Sequence, residues 1–310
     1  VNAVTFLLLY AVAVSWLAPS VLTGAAAAEI PPRLSVAGWL AAVLSALSAW
    51  VSALVILIVG AARSLLTHTA LTFCVKTLGL TGAAALPPAV STVVVVALLI
   101  VTTTVAAHTA RRVIGTLLRT RCRNRDHAEA VRLVGRPTGH SGVVALGAER
   151  PTAYCVAGGG RSAIVVTTAA LKLLAPAGLA AVLAHERAHL RGRHHHIIAI
   201  LTALTAALPR LPLMREAARR VPPLLEMCAD DVAARQHGRG PLLASLVTLS
   251  TRRPLPDGAL AAAGTAVAER VLRLMEPAHP SGWHPRAGWA ALGVAAILAG
   301  PGVALTLCAF

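Results

Sequence analysis

Residues 181–196 read AVLAHERAHLRGRHHH, and three of them are spaced for chemistry. On a helix, positions four apart share a face, with Cβ atoms roughly 5–6 Å apart. His185 and His189 can therefore present two imidazoles to one metal ion. Glu186, one position on, stands beside that ion rather than facing it, where a carboxylate takes a proton from an activated water. HExxH on a helix is the zincin signature. Chance would place it in a chain of this His and Glu content only ~0.01 times. Ala181, Val182, Leu183 and Leu190 make the helix apolar enough to be buried, and a buried glutamate with neither partner nor task is costly.

A catalytic zinc site needs three protein ligands and an open position, so a third ligand must come from elsewhere. Glu226, in LEMCADD, is the best candidate. It falls on a second predicted helix, with Asp230 four residues on and sharing its face. A ligating imidazole passes its other N–H to a carboxylate, and Asp230 is placed to accept it. Acidic residues are scarce, 12 in 310, yet Glu226, Asp230 and Asp231 fall within six positions. His237, or one of His194, His195 and His196, is an alternative third ligand. The HHH run otherwise reads as a polar helix end at a membrane interface. Arg235, His237 and Arg270 are candidate donors to an oxyanion.

The elements that must position these residues sit among long apolar runs. The chain is 56% hydrophobic and 13% charged, with mean hydropathy +0.72, against about 25% charged in soluble domains. No charged residue occurs in 1–28, 34–62, 77–110 or 287–310, and each run exceeds the ~20 residues that cross a bilayer. Spans are expected near 3–19, 36–60, 89–109 and 288–308. GAAAA after the first run resembles a cleavage site, but no Lys or Arg precedes it, so a retained span is expected. Residues 65–86 read as a loop with an interfacial helix.

Between 111 and 150 lie nine Arg and three acidic residues. A basic segment abutting a span is the positive-inside signal and is drawn to anionic headgroups. Aromatics are only 3%, so stacking platforms for nucleic acid are scarce, and no direct nucleic-acid partner is expected. Five cysteines without CxxC spacing suggest no disulfide framework and no thiolate zinc site.

The basic stretch reads as helix to about Ala130. Strand-like pieces follow at 131–146 and 153–167, the second containing an AGGG turn. LKLLAPAGLAAVLAHERAHLRGRHHH reads as helix with Pro176 in a first turn. Residues 197–208 are too short for a span and suit a core or re-entrant helix. Pro222 and Pro223 are expected to precede the helix of Glu226, and 240–250 and 261–275 are further helix candidates.

AYCVAGGGRSAIVVTTAALKLL, LAHERAHLRGRHH and LLEMCADDVAAR together resemble the membrane-embedded zinc peptidases of the BlaR/MecR type. They are more distantly similar to the HtpX and CAAX-prenyl-protease group. The resemblance covers about residues 110–275. It implies His185, His189 and Glu226 as zinc ligands, Glu186 as general base and Asp230 as the carboxylate behind a ligand. It also implies that the strand around Tyr154–Val166 borders the cleft and pairs with extended substrate. The antibiotic-sensing members carry an extracellular penicillin-binding sensor; none follows Phe310 in this sequence, so β-lactam sensing is not expected.

The expected architecture is a mainly α membrane protein: a three-span region (1–110), a cytoplasmic zincin-like α+β domain with a small β-sheet (111–286) and a fourth span (287–310). The expected activity is zinc endopeptidase at the cytoplasmic membrane surface of a multi-pass protein. Its expected partners are the bilayer and a protein or peptide substrate, such as a cytosolic repressor or membrane proteins. The alternative is a non-catalytic zinc-binding signalling or scaffold protein.

Overall fold

A computed structural model describes residues 3–26, 30–69, 87–158, 162–251 and 260–276. The expected loop with an interfacial helix at 65–86 lies outside them from residue 70 onward, as does the expected span at 288–308. The chain divides into two units, one of Val1–Gly115, Leu201–Arg219 and Trp283–Phe310, the other of Thr116–Ile200 and Arg220–Gly282.

The first unit contains α1 (Ala3–Ala26), α2 (Pro32–Leu66) and the first part of α3 (Pro88–Val134). These three helices are long and apolar enough to cross a membrane. Ala42, Ala46, Ala49 and Ala53 of α2 are fully or almost fully buried, as are Leu7 and Ala11 of α1. Small residues let helix backbones approach closely in apolar surroundings. Tyr10 and Ser45 join their hydroxyls across the pair at 2.6 Å. Leu9, Leu17, Val21, Leu44, Val93 and Ile100 remain exposed, an outward apolar surface suited to lipid.

The second unit is built on a four-stranded sheet: β1 (Arg136–Pro137), β2 (Val143–Leu146), β3 (Ala153–Val156) and β4 (Ala163–Thr167), in the order β1-β2-β4-β3. β4 is parallel to β2 and antiparallel to β3. Its sequence AIVVT is buried throughout because both faces are covered, the condition under which a strand reads as continuously apolar. Val165 packs with Ala128 and Val131 of α3. Ile164 and Val166 face the other way, onto Val182 and Leu183.

After β4, Thr167 caps α4 (Thr168–Leu173), its hydroxyl accepting from the Ala170 N–H. Then come α5 (Pro176–Arg191), α6 (His194–Ala207), α7 (Pro212–His237), α8 (Arg239–Ser250) and α9 (Leu260–Met275). Pro176 takes the first turn of α5, where its missing N–H costs nothing. Ala181 and Ala184 of α5 share a core with Ala233 of α7, Leu242 of α8 and Leu274 of α9.

Three expectations need correction. Residues 131–134 are the end of α3 rather than a strand, because Val131 is needed against the sheet at helical spacing from Ala128. The helix of Glu226 begins at Pro212, and Pro222 and Pro223 lie inside it. Prolines inside a helix remove two hydrogen bonds; the complete burial of Met214, Ala217 and Val221 offsets that loss. The histidine run does not end the HERAH helix. That helix stops at Arg191, Arg193 takes a left-handed conformation (φ 52°), and His194 opens α6.

Candidate metal centre

α5 and α7 carry the chemistry. On α5, His185 and Glu186 are buried and His189 nearly so. The i, i+4 spacing brings the two Nε2 atoms to 3.1 Å. Glu226 reaches in from α7, with Oε2 3.3 Å from His185 Nε2 and Oε1 3.4 Å from His189 Nε2. Tetrahedral zinc with bonds of 2.0–2.1 Å sets neighbouring ligand atoms roughly 3.3–3.4 Å apart. The Nε2–Nε2 separation and the nearest carboxylate oxygen to each imidazole, a different oxygen for each ring, lie near that edge. One ligand atom from each of the three residues falls within 4.8 Å of the other two, so the donor set fits one zinc ion. Glu226 keeps 40% of its side chain exposed, which leaves solvent access beside the three ligand atoms.

Behind the ligands stands a second layer. Asp230, one turn after Glu226 and 1% exposed, places Oδ1 3.0 Å from His185 Nδ1; the approach is oblique to the ring N–H. Arg270 of α9 donates from Nε to Asp230 Oδ2 at 2.7 Å and from Nη2 to Oδ1 at 2.8 Å. Its Nη1 lies 3.2 Å from Glu226 Oε2. Arg273 pairs with Asp231 at 2.8 Å. The candidate oxyanion donor Arg270 is thus committed to two carboxylates, whereas Arg235 and His237 are exposed at the end of α7.

These contacts set the charges. Burial works against charge on Glu226, but its bonds to His185 and His189 outweigh that and hold it far below the usual carboxylate range. Burial likewise opposes the Asp230 charge, and Arg270, then His185, hold its carboxyl low. For His185, burial opposes protonation, yet Asp230 and Glu226 together carry it up to about 9. In the metal-free protein His185 therefore carries the proton that a metal displaces.

Two neighbours make contacts that the sequence did not show. Cys155 of β3 stands opposite Ile164 in register, on the sheet face that meets α5. Burial first, then the adjacent Glu186 charge and its hydrogen bond, push its thiol up to about 12. It is a neutral thiol beside Glu186 rather than a thiolate. The strand-like pattern at 153–167 placed it on a strand, but its partner was not legible there. The other is His194, whose Nδ1 lies 2.9 Å from His189 Nδ1. Burial, then His189, push it down to about 4. Among the alternative third ligands, His194 thus meets the far side of His189, His195 is half-buried and His196 is exposed.

Residues 118–239 match the family model for peptidase family M48. The matched stretch includes α5 and Glu226 and Asp230 of α7, and stops before Arg270. The match supports a metallopeptidase domain in this part of the chain. No curated protein and no solved structure matches the chain.

Proposed function

We propose that the protein is a membrane-bound zinc endopeptidase. The observation that carries this reading is the trio of His185 Nε2, His189 Nε2 and a Glu226 carboxylate, spaced at 3.1–3.4 Å with Glu186 alongside. When bound there, zinc supplies Lewis acidity that acidifies a water and polarises a peptide carbonyl. His185, His189 and Glu226 hold the ion. Glu186 takes the proton from the attacking water and delivers it to the leaving amine. The neutral Cys155 thiol lies beside that carboxylate. Asp230 stands behind His185, and Arg270, which bridges Asp230 and Glu226, keeps the Asp230 carboxylate charged together with His185.

β3 is an edge of the sheet and passes beside α5, so extended substrate would add to it through main-chain hydrogen bonds. The three apolar helices and the arginine-rich end of α3 favour a multi-pass protein with this domain at the cytoplasmic membrane surface. The BlaR/MecR resemblance would make a cytosolic repressor the substrate; membrane proteins are the other class within reach.

The test uses full-length protein in detergent, loaded with zinc and given an unfolded protein substrate. Wild type should cleave it, while Glu186→Gln should keep its zinc and lose roughly 10²–10⁴-fold in rate. Equal cleavage by the variant would remove Glu186 from the chemistry. Stoichiometric zinc without cleavage by wild type would favour the non-catalytic signalling reading instead.

A further inference from the structure

Beyond the three ligands, we propose that His194 is a positioning residue for the metal: it accepts the Nδ1–H of His189 and so fixes the ring whose Nε2 faces the ion. This inference rests on the zinc reading above. His189 turns Nε2 towards His185 and Glu226 and Nδ1 towards His194 Nδ1 at 2.9 Å. A neutral imidazole that ligates through Nε2 carries its proton on Nδ1 and must donate it. The atom that receives it is His194 Nδ1, which places the His194 proton on Nε2. The two rings stand nearly perpendicular, at 88° with centroids 4.8 Å apart. Edge-on placement of this kind suits an in-plane N–H···N bond.

The backbone is shaped to deliver this contact. Arg193 adopts φ 52°, a left-handed conformation uncommon for a side chain of that size. That residue turns the chain between α5 and α6 and folds His194 back over the last turn of α5. The ring then rests on Gly192, where an added Cβ would lie 2.4 Å from His194 Nε2 and 2.6 Å from Cδ2. Arg193 N–H donates to Leu190 O at 3.2 Å and His196 N–H to Arg193 O at 2.9 Å, holding the turn closed. His185 is braced by Asp230 and His189 by His194, so each imidazole has its own partner. Replacing a partner behind a metal ligand typically weakens metal affinity 10–100-fold.

The experiment measures zinc affinity of the full-length protein in detergent by competition with a chromophoric chelator. His194→Asn keeps an acceptor at the Nδ1 position and should stay within about threefold of wild type. His194→Gln carries its carbonyl one methylene further and His194→Leu has none; both should lose 10–100-fold. Gly192→Ala, which leaves every ligand in place but unseats the ring, should fall with them. Cobalt-loaded protein gives a readout that general loosening would not reproduce. Its ligand-field bands should shift in Gln and coincide with wild type in Asn. If Leu fails to fold, the Asn and Gln pair carries the comparison. Zinc affinity within threefold in Gln, or equal losses in Asn and Gln, would overturn the role of His194 while leaving the zinc site standing. A wild type that binds no zinc would instead remove the site itself.

Discussion

Removing Arg270 should loosen the α7–α9 contact by a large and measurable amount. Its side chain is 12% exposed and meets Asp230, which is 1% exposed, through two short charged hydrogen bonds. It also touches Glu226. In Arg270→Ala, Asp230 keeps only the oblique His185 contact, and two carboxylates face each other without their shared cation. Breaking a buried pair from one side costs about 3–5 kcal/mol. Arg270→Lys keeps the charge but cannot span both Asp230 oxygens, so its cost should be about 1–3 kcal/mol. Replacing both partners by apolar residues, Arg270→Met with Asp230→Leu, should recover part of the loss. All five tryptophans, Trp16, Trp39, Trp50, Trp283 and Trp289, lie outside α7 and α9, so intrinsic fluorescence is a poor probe. Amide hydrogen exchange of zinc-free protein in detergent reads the two helices directly. A tenfold change corresponds to about 1.4 kcal/mol. Residues 221–235 should therefore exchange roughly a hundred- to a few-thousandfold faster in Arg270→Ala. Exchange within twofold of wild type there would refute the reasoning, because it would mean that the buried carboxylates do not need the cation.

Other outcomes follow from the same geometry. Asp230→Asn should keep the fold but weaken zinc binding about 10–100-fold, measured by chelator competition. In zinc-free protein, His185 is protonated more readily folded than unfolded, since its value rises from 6.5 to about 9. That contribution to stability is full below about pH 6.5 and is lost as pH climbs through 9. Zinc takes the place of the proton, so thermal unfolding with chelator should fall between pH 6.5 and 9, whereas zinc-loaded protein should not show this loss. Gly178 of α5 lies against α8, and a Cβ there would sit 2.4 Å from Ser245 Oγ. Gly178→Ala should cost about 1–3 kcal/mol, and adding Ser245→Ala should restore most of it, as read by exchange in α5.

What could be read along the chain was local. His185 and His189 share a helical face by spacing alone, as do Glu226 and Asp230, and the apolar runs announce three helices of membrane-crossing length. What could not be read required a tertiary partner. Arg270 is 40 residues from Asp230, and only the docking of α9 makes it a clamp rather than a solvent-facing base. Cys155 looked inert until β3 turned it towards Glu186. The histidine run was misread because the stop at Gly192–Arg193 depends on a left-handed arginine, which composition does not signal. Pro222 and Pro223 looked like a boundary for a sound local reason, and burial along α7 overrode it. Residues 131–134 read as strand-like, but only Val131 packs against β4, one helical turn after Ala128, while Leu133 and Val134 are exposed.

X-ray absorption at the zinc edge of the intact protein tests the metal centre most directly. One zinc per chain is expected in a nitrogen and oxygen shell at about 2.0–2.1 Å, with scattering from two imidazoles. A sulfur shell near 2.3 Å, or an imidazole signal unchanged in His185→Asn and His189→Asn, would contradict it.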